Sequence, residues 1–171
     1  MNTISRHERR VSQVAQLKDE TAYYSLIKVS IEADWQAYHG IRRRVLWELR
    51  GKSSYGSHFP DEYTISNHPL LLKLAGRPIG TTRLDNFGQG RGIVRLVAIS
   101  QPDQRQGHGR ALFRLVEDYA RSHSLKILLV KAAPDAVEFY NKTGWITQEW
   151  DDSEYMSSES DCVQMVKALV G

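Results

Sequence analysis

Between Ile93 and Tyr119 the chain runs from an apolar segment, IVRLVAI, through a polar turn into Gln104-Arg105-Gln106-Gly107-His108-Gly109. It then enters a segment with Leu112, Leu115, Val116 and Tyr119 at helical spacing. The spacing predicts a helix with one buried face, and the apolar run before the turn predicts a strand. The rest of the chain has to accommodate this strand–turn–helix. At the turn, backbone N–H groups have no partner inside the helix. Together with the positive end of the helix dipole they favour an anion, most commonly a phosphate. Gly107 and Gly109 let the main chain approach such a ligand without obstruction by a side chain. The unit has the form of a pyrophosphate cradle.

Two familiar cradles do not fit. A P-loop needs Gly-x-x-x-x-Gly-Lys-Ser/Thr, and no Lys-Ser/Thr follows here. A dinucleotide-binding fingerprint needs a third small residue where Leu112 stands, and it opens a βαβ unit that this chain does not begin with. The pattern present is Gln104-x-x-Gly107-x-Gly109. Taken alone, it is also the signature of a plain glycine-rich helix entry. The downstream segment narrows the choice. Leu125 to Val130, LKILLV, is a short apolar run of the kind buried on both faces of a sheet. Ala133-Pro134-Asp135 starts a further helix, with Pro134 suited to its first turn. Phe139-Tyr140-Asn141-Lys142-Thr143-Gly144-Trp145 completes it, with Gly144 as its C-terminal cap.

This order of elements, over about fifty residues from Leu96 to Trp145, resembles motifs A and B of the GNAT N-acetyltransferase superfamily. A further segment, Ile41-Arg42-Arg43-Arg44-Val45-Leu46-Trp47-Glu48, resembles one common in the first helix of that superfamily. The resemblance implies an α+β fold: a central twisted mixed sheet of six to seven strands flanked by helices. It implies acetyl-coenzyme A as cosubstrate and a small-molecule amine as acceptor, with direct attack in a ternary complex. The pantetheine arm is expected beside Val97, Ala98 and Ile99, and the pyrophosphate on Gln104, Arg105, Gln106, Gly107, His108, Gly109 and Arg110. His108 occupies the variable position between the glycines and receives no catalytic role. Tyr140 matches the tyrosine that protonates the departing thiolate in many small-molecule members.

Two positions depart from the family pattern. Ala133 stands where many relatives carry an asparagine that contacts pantetheine or substrate. Ile93 stands where histone-type relatives carry a catalytic glutamate, which argues against a histone-type lysine acetyltransferase. The general base is therefore unassigned, with Glu48, His58, Asp61 and Glu62 as acceptor-side carboxylates and imidazole to consider. Other acceptors compatible with the resemblance are a protein N-terminus, a lysine or an aminoacyl-RNA. A non-catalytic acyl-coenzyme A sensor is the remaining alternative, and a homodimer is a common family arrangement.

The 171 residues suit a single domain with a substantial core, and the 41% hydrophobic and 25% charged content is that of an ordinary soluble protein. No apolar run is long enough to span a membrane, and MNTISRHERR lacks the apolar core of a signal peptide, so a cytoplasmic protein is expected. A formal charge of +3, concentrated in Arg6–Arg10 and Arg42–Arg44, is too dilute for a nucleic-acid surface and reads as solvated helix faces. Cys162 is the only cysteine, so an internal disulfide is excluded, and neither a metal site nor a nucleophile is expected.

In chain order, residues 1–22 form an appended helix or arm, from Val11, Val14 and Leu17 at helical spacing. Ser25 to Ile31 alternates as a first strand, and Asp34 is placed to cap a helix from Trp35 to Arg50 with Tyr38, Ile41, Val45, Leu46 and Leu49 inward. Gly51 to His68 is a long polar loop, which the resemblance places at the acceptor side. Leu70–Ala75 and Ile79–Leu84 make a hairpin around Gly76-Arg77-Pro78. The glycine cluster Asp85–Gly92 links antiparallel strands and opens no helix, so it is a hairpin loop and not a second phosphate site. Trp145–Trp150 and Cys162–Leu169 read as two further strands joined by the acidic loop Asp151–Ser160, and the resemblance implies that they pair antiparallel over a long stretch.

Overall fold

The computed structural model describes residues 17–19, 23–57, 60–151 and 161–170. Among these, eight strands form one sheet: β1 (Leu17–Asp19), β2 (Tyr24–Lys28), β3 (Asn67–Leu74), β4 (Arg77–Gly88), β5 (Arg91–Ile99), β6 (Ile127–Ala132), β7 (Ile146–Thr147) and β8 (Val163–Ala168). Helices α1 (Glu32–Arg42), α2 (His108–Ser122) and α3 (Val137–Lys142) flank it. The order across the sheet is β1-β2-β3-β4-β5-β6-β8-β7. Neighbours are antiparallel except β5 and β6, which are parallel and joined through α2. This is the expected mixed sheet with helices on both faces, at eight strands slightly larger than six to seven, and β1 and β7 are its shortest members.

Three local expectations are corrected. Leu17–Asp19 is an edge strand paired with β2, not part of a helix; residues 1–16 and 20–22 of the expected arm lie outside the described residues. Asp34 does not cap α1, whose N-cap is Ile31; it is buried in the first turn and its Oδ1 accepts a bond from Lys73 Nζ at 2.8 Å. The final antiparallel pair is short. Ile146 and Thr147 pair with Val166 and Met165, and Gln148 N donates to Gln164 O at 3.1 Å. Beyond that the Gln164 side chain replaces the ladder, donating to Trp150 O at 3.0 Å and accepting from Trp150 N at 2.9 Å.

The two faces of the sheet differ. On one, Leu70, Leu72, Leu84, Val94, Leu128, Val130 and Met165 meet Leu112, Leu115, Val116 and Tyr119 of α2, all the residues its periodicity turned inward. Each such side chain contributes roughly 1.5–3 kcal/mol on burial. On the other face the apolar contacts are two small patches. Tyr38 of α1 packs on Val29 and Leu71, and Ile93 packs with Leu129 and Val166. β4 and β5 carry Arg83, Asp85 and Arg95 on this face, buried or half-buried under α1. α1 itself ends sooner than its pattern suggests. A π-helical turn, Arg43–Trp47, and a 3₁₀ turn, Glu48–Arg50, continue it to Gly51, leaving Leu46 buried and Leu49 exposed.

Behind α2, His68 Nδ1 lies 2.7 Å from the Tyr119 hydroxyl, with its ring centroid 4.9 Å from that of His123. Burial, then the charge of Lys28 and the proximity of His123, hold the His68 imidazolium down to a pKa of about 4. The unfolded chain therefore takes up this proton first, near its ordinary value of 6.5. Stability is expected to be unaffected by His68 above that pH and to fall as pH drops from 6.5 towards 4. Thermal melts over that window check this, and His68→Gln is expected to flatten the slope.

Candidate active site

The parallel ladder of β5 and β6 runs from Arg91↔Ile127 to Val94↔Val130 and stops. Two causes separate the strands there. In β4, Arg83 pairs with Arg95 but Thr81 pairs with Ala98, so Leu96 and Val97 together oppose Thr82. Leu96 sits at φ 55°, a left-handed conformation that a branched residue adopts only at a bulge such as this one. Thr82 Oγ1 fastens it by donating to Arg95 O at 2.9 Å. Meanwhile β6 continues with β8 through Lys131 and Ala132. The β6-facing main chain of Arg95–Ile99 is left without a strand partner, and an extended ligand can pair along such an edge. The gap opens onto a cavity of about 790 Å³.

At the far end of β5 lies the glycine turn. A 3₁₀ turn, Gln101–Asp103, is anchored by Asp103, whose carboxylate accepts two bonds from Arg77 at 2.8 and 3.0 Å. That guanidinium holds the Asp103 carboxyl below its usual range. Arg105 at φ 61° and Gly107 at φ 84° curl the chain into the start of α2. Helical bonding begins with Ala111 N–H to Gly107 O at 3.4 Å, so the amides of Gly107, His108, Gly109 and Arg110 precede it. A Cβ built on Gly107 meets nothing within 4 Å, and one on Gly109 meets only the Phe139 ring at 3.5 Å. The space over these amides is open.

The predicted cradle residues divide by role. Val97, Ala98, Ile99, Gln104 and Gly109 line the cavity. Gln104 Nε2 donates to Ile99 O at 2.9 Å and Gln106 Nε2 to Pro102 O at 3.0 Å, so these amides brace the turn. Arg105 and Arg110 are exposed beside it. The His108 side chain points away into the sheet, buried, with Nδ1 2.5 Å from the Tyr24 hydroxyl, and only its main chain faces the turn.

Tyr140 of α3 lines the cavity from the opposite wall, with Phe139, Ala136 and Ala133. Its ring sits edge-on to Phe113 at 5.3 Å and to Trp145 at 5.5 Å. Gly144, at φ 92°, ends the helix and lets Trp145 turn under it, where it is 2% exposed. Burial pushes the Tyr140 phenol well above the ordinary tyrosine range. Among the described residues no group hydrogen-bonds its hydroxyl, which leaves that donor for a ligand.

The remaining wall comes from the end of α1, the helical turns that follow it, and Lys52 and Asp61. The π-helical turn brings Val45, Leu46 and Trp47 to the cavity, an irregularity frequent at functional sites. Of the possible bases, Asp61 is exposed and lines the cavity, whereas Glu48 pairs with Arg44 in a neighbouring groove. Glu62 is buried between Arg42, Tyr38 and Arg83 and serves as a structural anion. His58 lies outside the described residues. One sequence expectation is overturned: Arg42 is not on a solvated helix face but 1% exposed, because Glu62 and the Tyr38 ring receive it. Cys162, distant from the glycine turn in sequence, lines the cavity just before β8. Sequence patterns missed the buried arginines. The visible signal was period-two alternation, which puts Arg83 on the same face of β4 as Asp85 and Arg95 on the same face of β5 as Ile93.

A family model described as an acetyltransferase (GNAT) domain matches residues 60–169. Solved structures agree in fold. A predicted N-acetyltransferase from Lactobacillus plantarum superposes with a TM-score of 0.72 at 22% identity, covering 86% of this chain and 99% of its own. The ribosomal-protein-S18-alanine N-acetyltransferase from Escherichia coli gives 0.66 at 15% identity, covering 85% and 94%. N-acetylglutamate synthase from Neisseria gonorrhoeae, complexed with coenzyme A and N-acetyl-glutamate, gives 0.71 at 19% identity, covering 88% of this chain and 36% of its own.

Proposed function

This chain belongs to the GNAT acetyltransferase family, and from that premise we propose that it moves the acetyl group of acetyl-coenzyme A to the primary amine of a small molecule. The observation that carries the proposal is the gap beyond Val94 and Val130, with the glycine turn beyond Ile99 and Tyr140 in the wall of the cavity it opens onto. When bound, acetyl-coenzyme A supplies the activated thioester. The amides of Gly107 to Arg110 hold its diphosphate, assisted by the helix dipole. The free edge of Arg95–Ile99 pairs with the pantetheine arm and orients the thioester carbonyl. Tyr140 keeps a proton at its hydroxyl for the departing sulfur. A cavity of about 790 Å³ with Trp47 in its wall suits a small acceptor better than a folded protein surface.

The amine attacks the thioester carbonyl directly: the C–N bond forms, the C–S bond breaks, and the amine proton leaves to solvent or to Asp61. Initial rates with both substrates varied are expected to give intersecting lines, and Cys162→Ser is expected to keep them. Parallel lines would replace direct attack with an acyl-cysteine route.

Calorimetric titration tests the coenzyme site. Gly107→Glu is expected to weaken acetyl-coenzyme A by at least about 100-fold, since the added carboxylate sits where charge-assisted bonds to phosphate form. Gly107→Ala carries the same left-handed strain without the charge and is expected to bind far more tightly than Gly107→Glu. No binding by the wild-type protein would remove the proposed activity.

A further inference from the structure

We propose that the acceptor amine carries a carboxylate, held by Arg95 with Arg42 and Arg83 behind it; this builds on the acetyl-transfer activity above. Three guanidinium groups and two carboxylates are clustered under α1. Arg83 makes two bonds to Asp85 at 2.7 and 2.8 Å and lies 3.7 Å from Glu62. Arg95 Nε donates to Asp85 at 2.9 Å, and Arg42 pairs with Glu62. At neutral pH one positive charge is left over, in a place where an uncompensated charge is costly. All three arginines line the cavity, and Glu62 and Asp85 do not. Among the described residues Arg95 Nη1 and Nη2 have no partner, and its side chain keeps 17% of its exposure. Arg42 is 1% exposed with its Nε unpartnered.

The coenzyme's phosphates do not answer this charge. Arg95 is the first residue past the last parallel pair, whereas the glycine turn begins beyond Ile99. Four strand residues at about 3.3 Å each put roughly 13 Å between them, beyond hydrogen-bond reach. Arg95 instead stands where the splay begins, on the α1 face, opposite the wall that carries Tyr140. A planar guanidinium with two free donors matches a carboxylate bidentately. The rest of the wall agrees in sign: Arg50, Lys52 and Lys131 join it, against Asp61.

The test compares the twenty protein L-amino acids with their carboxamides as acceptors, following thiol release, beside calorimetry with acetyl-coenzyme A. The wild-type protein is expected to prefer the best acid over its amide by roughly 10- to 100-fold in kcat/KM. Arg95→Gln is expected to bring that ratio close to one through a raised KM for the acid. Arg95→Lys, which keeps charge but loses the fork, is expected to fall between. Asp85 keeps both Arg83 bonds in these variants, and a retained melting transition and acetyl-coenzyme A affinity verify the fold. Equal use of acid and amide by the wild type, or turnover confined to amines without a carboxylate, overturns the carboxylate assignment and leaves acetyl transfer standing. Acetyl-coenzyme A binding with no turnover of any amino acid overturns it as well. Absence of coenzyme binding removes both.

Discussion

Tyr140→Phe is expected to lower kcat by roughly 10²- to 10⁴-fold while leaving acetyl-coenzyme A binding in place. The substitution keeps the ring among Phe113, Phe139 and Trp145 and removes only the hydroxyl. The loss belongs to the step in which the sulfur departs, so KM for the coenzyme should change little. The pH dependence follows from the same burial. The phenol is held above its ordinary value of 10.0, so it stays protonated across the usual assay range. The profile should therefore show no alkaline fall from Tyr140 below about pH 10. Burial also raises the proton affinity of a thiolate in the same apolar surroundings, which keeps donor and acceptor matched. A Tyr140→Phe enzyme within about threefold of wild type, an effect too small for general acid catalysis, would sink the assignment and leave Tyr140 as part of the aromatic cluster.

The largest expected loss of stability is at Glu62→Ala. Its carboxylate is buried and receives Arg42, the Tyr38 hydroxyl at 3.1 Å and the field of Arg83 at 3.7 Å. Removing one member of a buried ion pair costs about 3–5 kcal/mol, because the partner charge stays behind without compensation. For a domain of this size that lowers Tm on the order of 10 °C, read by calorimetry or circular dichroism. Arg42→Met combined with Glu62→Leu is expected to recover much of the loss, since it removes both charges from the interior. Equal destabilisation by the single and double variants would mean that packing, not charge, sets the value of the site.

How far the sequence revealed the protein differs from element to element. The helix after the glycine turn was legible because Leu112, Leu115, Val116 and Tyr119 repeat at helical spacing, and all four are buried in the core. The hairpin around Gly76 and the rejection of Asp85–Gly92 as a phosphate loop were legible from turn chemistry, although β4 runs further, to Gly88. The end of the sheet was misjudged. Trp145–Trp150 carries strand-forming residues, but the Gln164 side chain takes over the main-chain bonds at Trp150, an event no local pattern encodes. Asp34 had the right chemistry for a cap and was claimed instead by Lys73 of a neighbouring strand.

By itself, then, the sequence determined the order of the central elements, the face that α2 buries and the glycine turn at the end of β5, while the place of Tyr140 in the second motif came from the family resemblance. The first three depend on spacing, turn residues and dipoles, which act over a few residues. Only the tertiary structure decided the rest. The bulge at Leu96 arises from the register between β4 and β5, and the splay arises from β6 choosing β8 as its continuing partner. The burial of Arg42 and Arg83 and the half-burial of Arg95 beside one cavity depend on three elements meeting over one face of the sheet. Charges that look solvated along the chain become interior when distant carboxylates arrive to receive them, and that is a property of contacts between segments, which local patterns do not specify.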